Sequence, residues 1–186
     1  IALNFAADLD PTRKQDQAAA AISKWAENAP AQGIGGVLRL PPGFGKTVLA
    51  CWTIAHLKVK TMVIVNSTAL FDQWVARLES FLPGIQVGQL RRDKMVTAHK
   101  HVVVAMLQSL ALKQTNGGYP ASCFDGIGLV VVDEVHKACA PTMNRSLRSF
   151  PMGPRYILGL SATPKRADGF HAFLDWSFGR EIYGLS

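Results

Sequence analysis

The sequence has few cysteines and no long apolar runs. Its cysteines, Cys51, Cys123 and Cys139, form no C-x-x-C pair, so neither a disulfide framework nor a zinc site is predicted, and reduced thiols are expected. No apolar stretch approaches the ~20 residues that cross a membrane, and no signal peptide opens the chain. We therefore expect a soluble, intracellular protein with no membrane partner.

Internal repeats and low-complexity tracts are also absent, which excludes solenoids and repeat arrays. The 186 residues are 48% hydrophobic and 18% charged, an ordinary globular mixture that is large enough to bury a core. The chain begins at Ile1 without a methionine, and we interpret residues 1–186 as one domain excised from a longer protein. The formal net charge of +7 favours a polyanionic partner, although charge alone does not establish one.

Short apolar runs alternate with amphipathic stretches along the chain. Strands are predicted at 36–40, 61–66, 85–90, 101–106, 128–133 and 155–160, and helices at 15–28, 46–57, 70–81, 107–113 and 142–149. Several strands are apolar at every position, which is typical of strands covered on both faces. The order predicts an α/β fold, a mostly parallel sheet with helices on both faces and functional loops at the carboxyl ends of its strands. The basic segment 91–100 is predicted to be an exposed connection.

A phosphate-binding loop is predicted directly after the first strand, in the segment PPGFGKT (41–47). Its glycines let backbone N–H groups close around phosphate oxygens, Lys46 reaches the terminal phosphates, and the Thr47 hydroxyl ligates Mg²⁺. The strict pattern begins with glycine, but Leu40 stands there, so the pattern alone is also compatible with an ordinary turn. The order of strand, loop and helix favours the phosphate loop. The residues predicted to bind the nucleotide in it are Pro42, Gly43, Phe44, Gly45, Lys46 and Thr47.

Two adjacent carboxylates, Asp133 and Glu134, follow the apolar run LVVV (129–132). Acids commonly end strands at a protein surface, so this stretch alone is compatible with a solvated strand end. With a phosphate loop earlier in the same sheet, Asp133 suits a metal ligand and Glu134 suits the group that orients and deprotonates the attacking water. His136 and Cys139 form H-x-x-C without the second pair of ligands that zinc needs. We therefore expect His136 to hydrogen-bond to the next loop or to sense the γ-phosphate.

Three ordered segments, PPGFGKT, DEVH and LGLSATPKRADG, resemble motifs I, II and III of the superfamily 2 helicases and translocases. The stretch 133–169 is most similar to the branch that contains type III restriction subunits, DNA-repair helicases and phage helicases for branched DNA. The resemblance implies a RecA-like P-loop NTPase, with ATP and Mg²⁺ as cofactors and DNA as partner, RNA being left open. It assigns the metal to Thr47 and Asp133. It assigns catalysis to Lys46, Asp133, Glu134 and His136.

Two further segments resemble the parts of these proteins that contact nucleic acid. VIVNSTALFDQW (63–74) is similar to motif Ia, in which Ser67 supplies the hydroxyl that binds backbone phosphates. VAMLQSL (104–110) is similar to the segment V-A-T-x-Q-S-L, with Gln108 and Ser109 at the matching positions. The resemblance implies that these side chains grip the backbone of the strand that the motor tracks.

The family also implies contacts to adenine and a coupling motif. TRKQDQA (12–18) resembles the adenine-reading segment, in which Arg13 stacks on the ring and the amide of Gln15, or alternatively of Gln17, reads the base edge. An exposed glutamine at a helix start is the simpler interpretation of the same residues. The hydroxyls of the SAT motif couple the nucleotide and nucleic-acid sites in the family. Their counterparts here are Ser161 and Thr163.

Superfamily 2 motors work with two RecA-like lobes, and arginines of the second lobe stabilise the transition state. No second phosphate-binding sheet is found in this sequence, so we expect residues 1–186 to be the first lobe and to be nearly inactive alone. The leading hypothesis is the motor lobe of an ATP-dependent DNA helicase or translocase. The alternative is a non-catalytic, nucleotide-gated module that binds nucleic acid or a partner. The presence of Lys46, Asp133 and Glu134 together favours the motor.

Overall fold

The computed structural model describes residues 3–115, 118–135, 146, 150, 153–162 and 178–185. These residues form an eight-stranded sheet flanked by helices. The strands are β1 (Ile34–Arg39), β2 (Lys60–Val65), β3 (Val87–Arg91), β4 (Lys94–Val96), β5 (Val102–Met106), β6 (Ile127–Val132), β7 (Tyr156–Ser161) and β8 (Glu181–Gly184). The helices are α1 (Gln15–Glu27), α2 (Lys46–Leu57), α3 (Thr68–Phe81) and α4 (Leu107–Thr115).

The sheet has the strand order β4-β3-β5-β2-β6-β7-β1-β8. Every neighbouring pair is parallel except β3 and β4. The central strand β2 shows the register, since Val63 is paired with Val104 on one side and with Val131 on the other. The predicted mostly parallel α/β fold is therefore confirmed.

The core lies in two layers, one on each face of the sheet. The first layer contains the buried side chains of α1, α2 and α3, together with Val63 and Val65 of β2. The second contains Leu107 and Leu110 of α4, together with Met62 and Ile64 of β2. Successive residues of a strand point to opposite faces, so a strand covered on both faces must be apolar throughout. This explains the uninterrupted apolar runs in the sequence.

Local residues set the starts of the helices that follow strands. Gly45 precedes α2 in the left-handed region, with φ 100°, so α2 begins at Lys46. Ser67 precedes α3 in an extended conformation, and its hydroxyl accepts a hydrogen bond from the N–H of Leu70 at 3.3 Å. Such a cap starts the helix at Thr68, two residues before the apolar pattern predicted.

The prediction for segment 91–100 was wrong in one respect. Residues Lys94–Val96 form β4, which is antiparallel to β3 and pairs Arg91 with Lys94 across a tight turn. All of β4 is exposed, and its three residues are too few to show a periodic apolar pattern. The short strand β8 was not predicted either, and it pairs with β1 at the other side of the sheet. The predicted helix at 142–149 lies outside the described residues, save for Ser146.

Two expectations from composition concern thiols and membranes. Cys51 and Cys123 are buried and free, and burial raises the pKa of the Cys51 thiol to about 12. Cys139 lies outside the described residues. Within the described part of the chain, no helix combines the length and the apolar character that a membrane span requires.

Candidate active site at the carboxyl edge of the sheet

The phosphate loop connects β1 to α2. Gly43 and Gly45 both adopt the left-handed region, with φ 78° and 100°, which side chains other than glycine rarely adopt. A Cβ atom on Gly45 would also overlap the Gln15 side-chain amide, which would have to move from its contact with the loop. Leu40, which replaces the first glycine of the strict pattern, is 1% exposed and packs in the core. Its side chain therefore lies away from the loop, and leucine is compatible with a phosphate loop at this position.

The Lys46 ammonium lies over the start of this loop. Its Nζ donates to the carbonyl oxygen of Leu40 at 3.1 Å and to that of Pro41 at 3.5 Å. Thr47 follows in the first turn of α2 and is half-buried. Backbone N–H groups at a helix start and a nearby cation are the groups that bind phosphate. When a phosphate binds, the Lys46 ammonium would exchange its hydrogen bonds to two neutral carbonyl groups for contacts with an anion.

The two candidate adenine-reading glutamines lie in different places. Gln15 is 4% exposed, accepts from the N–H of Asp10 at 2.9 Å and donates to the carbonyl of Phe44 at 2.5 Å. Gln17 instead accepts from the Tyr183 hydroxyl at 3.3 Å. Only Gln15 therefore contacts the phosphate loop. Its amide still has one N–H and one acceptor lone pair to offer.

Arg13 lies beside the same loop. Its guanidinium donates to the carbonyl of Gly43 at 2.5 Å and pairs with the Asp10 carboxylate at 3.1 Å. An open cleft of about 430 Å³ lies here. Its lining residues are Thr12, Arg13, Lys14, Pro42, Gly43, Phe44 and Leu185. The cleft adjoins the phosphate loop and is bounded by Arg13, which is the arrangement that a stacked base next to its phosphates requires.

Both oxygens of Asp133 are anchored at the end of β6. Oδ2 accepts from the indole N–H of Trp74 at 2.8 Å, and Oδ1 accepts from the backbone N–H of Glu134 at 2.8 Å. Asp133 is 9% exposed and Trp74 is 1% exposed. Burial raises the pKa of Asp133 above its ordinary value of 3.8, and the Trp74 hydrogen bond opposes that rise. The carboxylate is therefore fixed in orientation and costly to ionise.

Glu134 has a strained backbone, with φ 50° in the left-handed region. This conformation costs an L-residue roughly 1–2 kcal/mol. The N–H of Glu134 that donates to Asp133 belongs to the same turn, so the Glu134 backbone is fixed relative to the Asp133 carboxylate. Strain of this kind clusters at functional sites, where the surrounding structure maintains it.

The arrangement fits a magnesium ion bound together with a nucleotide. A carboxylate has about four lone-pair positions, and the hydrogen bonds to Asp133 occupy two of them, which leaves positions for a metal. The charge of Lys46 is close enough to lower the pKa of Asp133, so the phosphate loop and the acidic pair adjoin. Among the described residues, no group of three metal-ligating side chains is present. Mg²⁺ in nucleotide sites needs only one or two protein ligands, so Asp133 and Thr47 suffice.

The remaining predicted residues that the structure describes lie along the same edge. Ser67 follows β2, and Gln108 and Ser109 follow the last residue of β5. The Gln108 amide donates to the carbonyl of Asn66 at 2.7 Å, which joins these two strand ends. Ser161 ends β7 opposite Arg39 of β1. His136 and Thr163 lie outside the described residues.

Sequence reasoning missed the role of Trp74. Trp74 lies within the predicted helix at 70–81, but its contact with Asp133, 59 residues further along the chain, was not predicted. The available signal was chemical, since a buried tryptophan normally finds an acceptor for its N–H. In this sheet the nearest strand ends offer acceptors, and a carboxylate is the strongest of them.

We expect Trp74→Phe to lower the free energy of unfolding at pH 7.5 by about 1–3 kcal/mol, because Oδ2 of Asp133 loses its hydrogen-bond donor. The pKa of Asp133 in the folded protein is already raised above 3.8. The contribution of Asp133 to the free energy of unfolding is therefore fully present below pH 3.8 and is lost as the pH rises through the pKa of the folded state. The substitution raises that pKa further, so its deficit should shrink as the pH is lowered. Urea unfolding at several pH values measures this.

The matched control is Trp25→Phe, because Trp25 also donates its indole N–H, at 3.2 Å, but to the uncharged carbonyl of Gly35. Its deficit should not change with pH. Equal pH dependence in the two variants would contradict the assigned role of Trp74.

Comparison with known proteins places this chain in a family. The family model described as "Type III restriction enzyme, res subunit" matches residues 8–166. A protein named as helicase 055L from Frog virus 3 (isolate Goorha) is 36% identical over 153 residues, 78% of this chain. A protein named as ATP-dependent RNA helicase L396 from Acanthamoeba polyphaga mimivirus is 33% identical over 148 residues, 80% of this chain. The chain spans only 32% and 27% of the lengths of these two relatives.

Solved structures agree on the fold. The UvsW helicase from bacteriophage T4 has a TM-score of 0.70 at 17% identity, covering 98% of this chain and 62% of its own. The Sulfolobus solfataricus SWI2/SNF2 ATPase core in complex with dsDNA has a TM-score of 0.66 at 17% identity, covering 88% of this chain and 34% of its own. The chain therefore belongs to the family of the type III restriction enzyme res subunit, and it has the fold of the N-terminal RecA-like lobe of superfamily 2 helicases.

Proposed function

We propose that this chain is the nucleotide-binding motor lobe of an ATP-dependent DNA helicase or translocase. The observation that carries the proposal is the anchored carboxylate of Asp133, held at both oxygens and adjoining Lys46 of the phosphate loop. A solvated strand end would need neither the burial nor the indole donor. The family relationship supports the same conclusion.

The nucleotide is bound by the loop and the segment before α1. Backbone N–H groups of the loop and the Lys46 ammonium take the phosphates, while Gln15 reads the adenine edge and Arg13 stacks on the base. Pro42 and Phe44 line the cleft beside them. Gln15 is preferred over Gln17 because it already contacts the loop through the carbonyl of Phe44.

Hydrolysis uses the residues at the end of β6. Thr47 and Asp133 would hold Mg²⁺, which neutralises charge on the phosphate oxygens. Glu134 orients the attacking water and takes its proton, and its φ of 50° fixes where its side chain begins. His136 and Thr163 keep the sensing and coupling roles that the resemblance implies, and Ser161 shares the coupling role at the end of β7.

Nucleic acid is proposed to lie along the same edge, against Ser67, Gln108 and Ser109. The net charge of +7 favours such a partner. One relative in structure was solved with dsDNA, which supports DNA, whereas one relative in sequence is named as an RNA helicase. Contacts to the phosphate backbone are independent of sequence, which suits a motor that moves along its substrate.

We expect Lys46→Ala and Glu134→Gln to lower ATP turnover in different ways in the full-length protein. Lys46→Ala should weaken nucleotide binding, because it removes the cation that meets the phosphates. Glu134→Gln should retain binding and lower ATP hydrolysis by roughly 10²–10⁴, the usual contribution of a general base. Steady-state ATPase assays and nucleotide titrations separate these effects.

Lys58→Ala is the control, since Lys58 is exposed at the amino end of β2, and parent activity is expected. Parent turnover in Glu134→Gln would contradict the motor and favour the non-catalytic, nucleotide-gated module.

A second RecA-like lobe is proposed to complete the site with transition-state arginines. We expect residues 1–186 alone to turn over ATP on the order of 10³ or more slowly than the full-length protein, because such arginines contribute 10³–10⁵ in related enzymes. ATPase assays of both forms, with and without DNA, test this. Robust DNA-stimulated hydrolysis by residues 1–186 would contradict the need for a second lobe.

A further inference from the structure

The tight turn between β3 and β4 carries charge to the functional edge of the sheet. β3 is parallel to β5, so its carboxyl end lies at the same edge as the ends of the other parallel strands. β4 returns antiparallel from there, and the turn is residues 91–94. This turn holds three cationic residues and one acidic residue, Asp93. We call residues 91–94 the basic turn.

The basic turn is fixed to the segment that follows β5. The N–H of Arg92 donates to the Ser109 hydroxyl oxygen at 3.0 Å, and the carbonyl of Arg92 accepts from the Tyr119 hydroxyl at 2.7 Å. Both backbone groups of Arg92 are therefore bonded to side chains from elsewhere in the chain. The Ser109 hydroxyl accepts in this contact and also forms a side-chain hydrogen bond with Tyr119, so Ser109 and Tyr119 hold the turn together.

The backbone of Arg92 does not explain the choice of arginine. Its φ is 49°, in the left-handed region that glycine and asparagine adopt most easily. Its side chain is exposed, and so is that of Lys94. By contrast, the Arg91 guanidinium packs over the Phe71 ring at 4.7 Å from its centroid and is engaged there. Arg92 and Lys94 are thus the cations that the turn presents to solvent.

The basic turn continues a row of strand ends. The sheet order β3-β5-β2 places the turn next to Ser109, and Ser109 next to the end of β2. The hydrogen bonds from Gln108 to Asn66 and from Arg92 to Ser109 join these ends one to the next. With strands about 4.8 Å apart, the row extends roughly 10 Å from Ser67 to the turn.

We propose that the basic turn is a phosphate-backbone contact for nucleic acid, extending the row of Ser67, Gln108 and Ser109 by one strand. The inference rests on the proposed function, because that function puts the nucleic-acid backbone on this row. Arg92 and Lys94 meet phosphates beyond those bound at Ser109. The contact is electrostatic and independent of base sequence.

The test is the salt dependence of single-stranded DNA binding by the full-length protein, measured by fluorescence anisotropy. Each phosphate contact contributes about 0.7 to the slope of log affinity against log salt for single strands. Arg92→Gln with Lys94→Gln should therefore reduce the magnitude of the slope by about 1.4 and weaken binding roughly tenfold at low salt. The double variant Arg92→Lys with Lys94→Arg keeps both charges and should retain the parent slope.

The matched control is Lys24→Gln with Lys58→Gln, which also removes two exposed cations. Lys24 lies in the last turn of α1, and Lys58 follows α2 two residues before β2, so both lie towards the amino ends of the strands. Its slope should equal that of the parent. Thermal unfolding of each variant verifies that it is folded.

The outcomes separate the two proposals. If the parent protein binds no nucleic acid, the proposed function fails and the basic turn fails with it. If the parent binds and the neutralised turn keeps the parent slope, only the basic turn is overturned. An equal loss in the charge-conserving variant, or in the Lys24 and Lys58 control, also overturns it, because the effect would then not come from charge at this turn.

Discussion

The hydrogen bond between Trp74 and Asp133 is the interaction on which the site depends. Asp133 ends a strand that is buried on both faces, and a carboxylate in such a place ionises at a cost. The indole N–H and the N–H of Glu134 offset part of that cost and leave the carboxylate one orientation. The apolar strand before Asp133 is therefore a rigid support. Helix α3 contributes the indole N–H of Trp74, which stabilises the ionised carboxylate at the end of that strand.

The parallel sheet brings the other groups to this carboxylate. β6 lies between β2 and β7, so the ends of those neighbours place Ser67 and Ser161 beside it. The loop after β1 brings Lys46 close enough to lower the pKa of Asp133. Because parallel strands end at one edge, the proposed nucleotide site and the proposed nucleic-acid surface lie on the same edge of the sheet. The end of β6, where the metal and nucleotide are proposed to bind, is thus close to the strand ends that are proposed to hold nucleic acid.

The elements and residues with local signals were predictable. α2 begins and ends where the sequence predicted, because Gly45 and the apolar pattern determine it. Lys46 and Asp133 were identified from their positions after strands, and the structure brings them to the same edge. The partners of these residues were not predictable in the same way. Trp74 and Asp133 are 59 residues apart, and the bond from Arg92 to Ser109 depends on strands β3 and β5 being neighbours, which no local pattern encodes. The choice between Gln15 and Gln17 likewise required the packing of α1 against the loop.

The most direct measurement is a crystal structure of the full-length protein with Mg²⁺ and a non-hydrolysable ATP analogue. The account predicts phosphates in the loop at Lys46, the metal between Thr47 and Asp133, and an unbroken Trp74 to Asp133 hydrogen bond near its present 2.8 Å. The base should lie in the cleft beside Arg13 and Gln15. A nucleotide bound elsewhere, or an Asp133 carboxylate turned away from the metal and released from Trp74, would contradict it.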